Sequence, residues 1–258
     1  MKKKIYIFLM IAFLLILFYV EFLFYENYIT QTIKIANWNL NVFGESKAGN
    51  NDLMTLYKEK ISNYDIIFIQ EIRDISGLAF YELCSSLENY SCVNSSRAGR
   101  TNYKEQYGVI FRDDINLVSF KDYNPDSLNR WERPPVRLDF KINDSEFIVY
   151  NIHVKPDDVS KELGDLEDIV EDSGNVIILG DFNADCSYYN EKNKNVFNSM
   201  SWVIKDYQDT AVSKSRCAYD RIILNDNSYE SYKNSGVDYT QITENVSDHY
   251  IVWVEMKI

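Results

Sequence analysis

The chain has two histidines, His153 in VYNIHVKP and His249 in NVSDHYIVWVEM. Imidazole is the side chain whose ordinary pKa lets it give or take a proton near neutral pH. Both histidines lie where an apolar run meets acids and amides. Two such groups facing one substrate could work as an acid and a base.

The same pattern recurs elsewhere. IKIANWN ends in Asn39, DIIFIQE in Glu71, FIVYNIH in His153, and VIILGDFN in Asp181 and Asn183. CAYDRIIL carries Asp220 at the start of its apolar run, and VSDHYIVW carries Asp248 and His249. The ends of strands gather at one rim of a sheet, where sites usually form. Acid and amide oxygens suit a hard divalent ion, Mg²⁺ or Mn²⁺. Histidines beside it suit proton transfer or bracing of an oxyanion. A single GDFN reads equally well as a loop shaped by Gly180 and Asn183 and capped by Asp181. Six such motifs together read as a site.

The elements that must position these residues are short apolar strands. They are expected at Ile33–Trp38, Ile66–Ile69, Gly108–Phe111, Val136–Phe140, Phe147–Ile152, Val176–Leu179, Arg221–Leu224 and Tyr250–Met256. Helices are expected at Leu53–Ser62, Leu78–Ser86 and Asp157–Glu171, the last with Leu163, Leu166, Ile169 and Val170 at helical spacing. Strands alternating with helices argue for α/β. The turn-like Ile142–Ser145 joins neighbouring strands and argues that some pairing is antiparallel. A mixed sheet, or two, is the expected core.

Residues 1–30 stand apart. Lys2, Lys3 and Lys4 precede 16 apolar residues, Ile5 to Val20, as in an export signal or a membrane anchor. With no small-residue cleavage pattern, an uncleaved anchor is the favoured expectation, and the rest of the chain would face outward. Residues 31–258 suit one large domain. Without three lysines and two glutamates, the net charge goes from −12 to −13. Such a surface repels nucleic acid and anionic membranes, so a polyanionic substrate would need metal ions or a local basic patch. Arg97, Arg100 and Lys104 in SSRAGRTNYK could supply that patch, or simply solvate a loop. The four cysteines permit two disulfides in an exported chain. Three pairings are open, with Cys84–Cys92 and Cys186–Cys217 favoured. Zinc is less suited, since no CxxC occurs.

Together these motifs resemble the deoxyribonuclease I family of the endonuclease/exonuclease/phosphatase superfamily. The resemblance runs through most of residues 33 to 256. It is carried by IKIANWNLNVFGESK, YDIIFIQEIRD, NYKEQYGVIFR, NIHVKP, GDFNADCSY, CAYDRI and SDHY. It implies a four-layer α/β sandwich, two mixed β-sheets face to face with helices outside. It also implies that Asn39, Glu71 and Asp248 hold or orient a divalent ion, while Asp181 and Asn183 bind the phosphate or a second ion. His153 and His249 would be acid and base, with Glu105 behind the first and Asp220 behind the second. A carboxylate behind an imidazole fixes its tautomer and raises its pKa. Arg73, Tyr103 and Arg133 match residues that touch the DNA backbone, and Cys186 and Cys217 match a family disulfide.

Two departures stand out. Asn41 replaces an arginine that such proteins often carry two residues after the first metal asparagine. The stretch DTAVSKSRC resembles a calcium loop and keeps Asp209, but has Ala211, Ser213 and Ser215 where threonines are usual.

The resemblance therefore implies an extracytoplasmic, Mg²⁺- or Mn²⁺-dependent endonuclease. It would act on DNA with little sequence preference, leave 5′-phosphate ends and work as a monomer without a protein partner. The competing readings are a phosphodiesterase of the same superfamily acting on phospholipid or inositol phosphate, and a binding module that has lost its chemistry.

Overall fold

The computed structural model describes residues 2–29, 31–171, 173–189 and 195–258. Helix α1 (Lys2–Ile29) comes first; its described side chains from Leu9 to Phe22 are nearly all exposed. Among the described residues, no helix is long and apolar enough to cross a membrane. The expected anchor therefore finds no support in a spanning helix.

The rest alternates as follows: β1 (Thr32–Phe43), α2 (Glu45–Ala48), α3 (Asn51–Ile61), β2 (Ile66–Ile72), α4 (Leu78–Ser85), β3 (Tyr90–Asn94), β4 (Gln106–Arg112), β5 (Asn116–Asp122), β6 (Val136–Ile142) and β7 (Ser145–Asn151). There follow α5 (Val159–Glu167), β8 (Asn175–Asp181), β9 (Ser201–Trp202), β10 (Asp220–Leu224), α6 (Asp226–Ser231), β11 (Tyr232–Asp238) and β12 (Ile251–Lys257).

The strands form two six-stranded sheets, ordered β11-β12-β1-β2-β4-β3 and β5-β6-β7-β8-β10-β9. Each is mixed, with one parallel pair at its centre: β1 with β2, and β7 with β8. Alternation along the strands sorts the side chains into layers. Ile33 and Ile35 of β1, Ile66 and Phe68 of β2, Val149 of β7, and Ile177 and Leu179 of β8 all enter the core between the sheets. The residues one step out of phase, Ala36, Trp38, Ile67 and Ile69, pack beneath Tyr57 and Ile61 of α3 and Phe80 and Leu83 of α4. On the second sheet Tyr150, Val176 and Ile178 meet Leu163 and Leu166 of α5. The result is the expected four-layer sandwich.

The structure differs from the sequence reading in detail. The helix expected over Asp157–Glu171 is a 3₁₀ turn at Pro156–Asp158 followed by α5, which stops at Glu167. Strands β3, β5, β9 and β11 lie at or near sheet edges, and none of them carries the fully buried apolar run that marks the central strands.

Candidate active site

The inner-face phase that buries the core also carries polar residues to one rim. Asn37 and Asn39 continue the Ile33–Ile35 phase, and Gln70 follows Phe68. Asn151 and His153 follow Val149, Asp181 follows Leu179, and Glu105 precedes Tyr107 and Val109. Asp220 leads into Ile222 and Leu224. All of these are buried, so each needs a partner.

Three amides provide a floor. Asn37 Nδ2 donates to Gln70 Oε1 at 3.2 Å, and Asn151 Nδ2 donates to Asn37 Oδ1 at 2.8 Å. Gln70 Nε2 donates to the Ile152 carbonyl at 2.8 Å, and Gln70 Oε1 also accepts the Asp181 N–H at 3.0 Å. This net ties β1 and β2 of one sheet to β7 and β8 of the other, directly beneath Asp181. Gly180 makes the approach feasible: its φ is +150°, and a Cβ there would sit 2.0 Å from the Ile152 oxygen. None of the three amides is in the set expected to act. The only sequence signal was a polar residue in the inner phase of an apolar strand.

Above this floor, Nδ1 of His153 lies 2.6 Å from Glu105 Oε1, and Nδ1 of His249 lies 2.7 Å from Asp220 Oδ2. The two Nε2 atoms converge on Asp181 Oδ2, at 3.3 Å from His153 and 3.6 Å from His249. His249 is out of phase with β12's inner face. It is set by a bridge to Ala211, by its N–H on Ser247 Oγ and by Trp38 Nε1 on its carbonyl. Asp220 is itself fixed by its N–H on Thr210 Oγ1 at 3.0 Å. Asp248 Oδ1 lies 3.7 Å from His249 Nε2, with its side chain 52% exposed.

Asn39 Nδ2 donates to both Glu71 Oε1 at 3.3 Å and Asp181 Oδ2 at 3.2 Å. Glu71 would point outward if β2 stayed regular, but its φ is +59° and the β2–β4 register slips between Ile69 and Ile72. That bulge turns its carboxylate to the rim. A non-glycine residue in the left-handed region is strained, and such strain collects at functional sites. Asn41 and Val42 share the left-handed conformation, and their N–H groups bond to Asn39 Oδ1 and Glu71 Oε2. Asn183, also left-handed, donates its N–H to Asp181 Oδ1 and its Nδ2 to the Val154 carbonyl.

Arg73 Nη2 lies 3.0 Å from Glu71 Oε2 and 3.6 Å from Glu105 Oε2. Arg133 Nε donates to the His153 carbonyl at 2.9 Å and lies 3.5 Å from Glu105. Both guanidiniums are thus engaged with the site's own acids. Tyr103 is 76% exposed. Arg97 and Arg100, read as a basic patch, hold their loop: Arg97 caps the Asp74 and Lys104 carbonyls, and Arg100 bonds Asn129. Asp209 accepts the Ala211 and Cys217 N–H groups. Cys84–Cys92 and Cys186–Cys217 are both joined as disulfides.

Charge sets the protonation states. Burial alone would raise the Glu105 carboxyl, but His153, Arg133 and Arg73 outweigh it and hold it at about 2. Burial and Arg133 push the His153 imidazole down, while Glu105 and Asp181 more than compensate and raise it. The His249 imidazole is raised as well: burial opposes its charge, but Asp220, Asp181 and Asp248 all favour it.

The donor set fits a hard divalent ion. Among the described residues, Glu71, Glu105 and His153 offer ligand atoms within 4.8 Å of one another, as do Asp181, Asp220 and His249. Glu105 Oε2 and Asp220 Oδ1 are buried without a hydrogen-bond partner. Carboxylate oxygens dominate both groups, and soft thiolates are absent from them.

Fold and rim together define a class of protein, the four-layer α/β sandwich with an acid-, amide- and imidazole-lined rim between its sheets. The chain belongs to the endonuclease/exonuclease/phosphatase family, in its deoxyribonuclease I branch: the family model matches residues 36–249. It is 30% identical to deoxyribonuclease-1 of Gallus gallus, over 89% of this chain and 94% of that protein. It is 31% identical to deoxyribonuclease gamma of Rattus norvegicus, over 86% of this chain and 83% of that one. Among solved structures, D. rerio TDP2 complexed with a single-strand DNA product superposes with a TM-score of 0.66 at 13% identity, covering 88% of this chain and all 100% of that one. A family protein from Leptotrichia buccalis gives 0.65 at 19% identity, with 88% and 100% coverage. These two likenesses concern the fold.

Proposed function

We propose that the chain is a divalent-metal-dependent endonuclease that hydrolyses DNA phosphodiester bonds with little sequence preference and leaves 5′-phosphate ends. The observation that carries this is the convergence of both imidazole Nε2 atoms on Asp181, each imidazole being backed by its own carboxylate. An in-line displacement needs one group on each side of the phosphorus, and this arrangement supplies two. His153 and His249 serve as acid and base, one toward the attacking water and one toward the leaving 3′ oxygen, with Asp181 aligning that water.

Asn39, Glu71 and Asp248 would hold a divalent ion, Mg²⁺ or Mn²⁺, and Asp181 with Asn183 would take the phosphate or a second ion. When bound, such an ion neutralises charge developing on the phosphate oxygens. It would also let a strongly acidic domain accept a polyanion. Arg73, Arg133 and Tyr103 are the proposed contacts to the DNA backbone. Any Ca²⁺ would sit at Asp209, beside the backbone carbonyls of its loop.

Residues 31–258 form the catalytic domain in this reading, and residues 1–30 direct export. The two disulfides suit an oxidising, extracytoplasmic compartment. Turnover of phospholipid or inositol phosphate is the weaker alternative, because the relatives matched at about 30% identity are named deoxyribonucleases. The test is nicking of supercoiled plasmid with Mg²⁺, with and without EDTA, beside a phospholipid and an inositol phosphate. Nicking abolished by EDTA supports the proposal; turnover of a lipid or inositol substrate without nicking overturns it.

A further inference from the structure

Glu162 has no part in the chemistry above, yet it is 1% exposed and shares the buried face of α5 with Val159, Leu163 and Leu166. Each of its carboxylate oxygens accepts one backbone N–H. Oε1 takes that of Glu132 at 2.7 Å, and Oε2 takes that of Lys155 at 3.0 Å. Its own carbonyl accepts Trp131 Nε1 at 2.9 Å. The two N–H groups belong to segments that carry residues of the rim: Glu132 adjoins Arg133, and Lys155 lies two residues after His153. Arg133 precedes β6 and His153 follows β7, so neither lies within a strand. The two are tied to each other. Arg133 Nε donates to the His153 carbonyl at 2.9 Å, the His153 N–H donates to the Tyr107 hydroxyl at 3.0 Å, and that hydroxyl donates to the Arg133 carbonyl at 3.2 Å. Glu162 adds a second bridge between the segments that these three residues already join.

We propose that Glu162 is a positioning residue for the hydrolysis: by holding Glu132 and Lys155 it fixes Arg133 relative to His153, and with them the line from the His153 imidazole to Asp181. The inference rests on the nuclease reading above. Glu162 touches no substrate in this account and acts through the two segments. A buried carboxylate is costly where the surroundings are apolar. Burial pushes this carboxyl up, against the two N–H bonds and the charge of Arg133. An apolar side chain would fill the same space, but it would leave both N–H groups unpaired and the segments unlinked. The effect is confined to one side of the site. His249 is set by other contacts, a bridge to Ala211, its N–H on Ser247 Oγ and Trp38 Nε1 on its carbonyl. Loss of the Glu162 carboxylate should therefore displace one imidazole and leave the other in place.

The test compares the full chain with Glu162→Gln, which keeps the shape of the side chain but turns one acceptor into a donor facing an N–H. Two readings are taken. The first is plasmid nicking with Mg²⁺ at a temperature where circular dichroism shows the variant folded. A misplacement of about 1 Å can cost about 10²-fold in rate, so kcat should fall about tenfold or more. KM should stay within about threefold, because the DNA contacts are spread over several residues and the ion. The second reading is the NMR spectrum of ¹³Cε1-labelled histidine in EDTA, which has two lines because the chain has two histidines. His153→Ala assigns them. The His153 line should shift in Glu162→Gln while the His249 line stays. An unchanged kcat in the folded variant, two unmoved lines, or two lines displaced alike would overturn the proposal, the last by showing general loosening. If Glu162→Gln does not fold, Glu162→Asp, which keeps the charge on a shorter stem, carries the same two readings. Absence of plasmid nicking by the wild type would instead overturn the nuclease reading, while the two NMR lines still decide whether Glu162 places His153.

Discussion

Asn39 and Asp181 belong to different sheets, yet the Asn39 amide donates to the Asp181 carboxylate at 3.2 Å. The site is therefore a seam between the two halves of the sandwich, and its geometry depends on how firmly the halves are held. The buried amide floor beneath it supplies that hold.

Removing the centre of the floor should be costly. Gln70→Leu leaves the Asn37 amide, the Asn151 side chain and the Asp181 N–H short of a partner. A buried polar group left unpaired costs about 1–3 kcal/mol. Urea unfolding should show a loss of about 2–4 kcal/mol, with nicking reduced more steeply than stability accounts for. An unchanged midpoint would mean the floor is not structural.

Acid should unfold the metal-free protein partly through Glu105. Its carboxyl is held at about 2 against an ordinary 4.5, chiefly because His153, Arg133 and Arg73 outweigh burial. A group with a depressed folded pKa adds stability above its unfolded pKa, and that contribution fades as pH falls through the folded value. The window is therefore about pH 4.5 down to about 2. A shift of this size corresponds to roughly 3 kcal/mol. Glu105→Gln should lose part of that slope when unfolding free energy is followed against pH in EDTA, and an unaltered slope would contradict the assignment.

The alkaline side of activity should follow His249. Asp220, Asp181 and Asp248 raise its pKa against burial, so the protonated form persists as pH rises. Asp220→Asn removes one of those carboxylates, and the alkaline limb of kcat/KM should move to lower pH. A limb that stays in place would assign the acid elsewhere.

The disulfide Cys186–Cys217 closes a segment with a sequence separation of 31. Replacing both cysteines by serine should lower stability by about 3–4 kcal/mol on chain-entropy grounds. Thermal melting of the double variant against the wild type measures this directly.

Much of the sandwich was legible because its central strands are apolar runs that stop at a polar residue. FIVYNIH and VIILGDFN show both the strand and the rim that His153 and Asp181 reach. Glu71 was legible only as a residue at a strand end; the bulge that re-aims it depends on pairing with β4, which the local sequence does not encode. Gln70 and Asn151 were hidden for a different reason, since a single polar residue inside an apolar run carries no sign of whom it meets across the sheets. Strands β5 and β11, without a continuous buried apolar run, owe their conformation to their neighbours.

The most direct measurement of the central claim is the rate of plasmid nicking with Mg²⁺ by the full chain and by Asp181→Asn, which keeps shape and removes the charge shared by both imidazoles. Loss of one preorganised group of this kind costs on the order of 10²–10³ in rate. Asp181→Asn should show a loss of at least that size, with the fold unchanged by circular dichroism. A variant that nicks at the wild-type rate would contradict it.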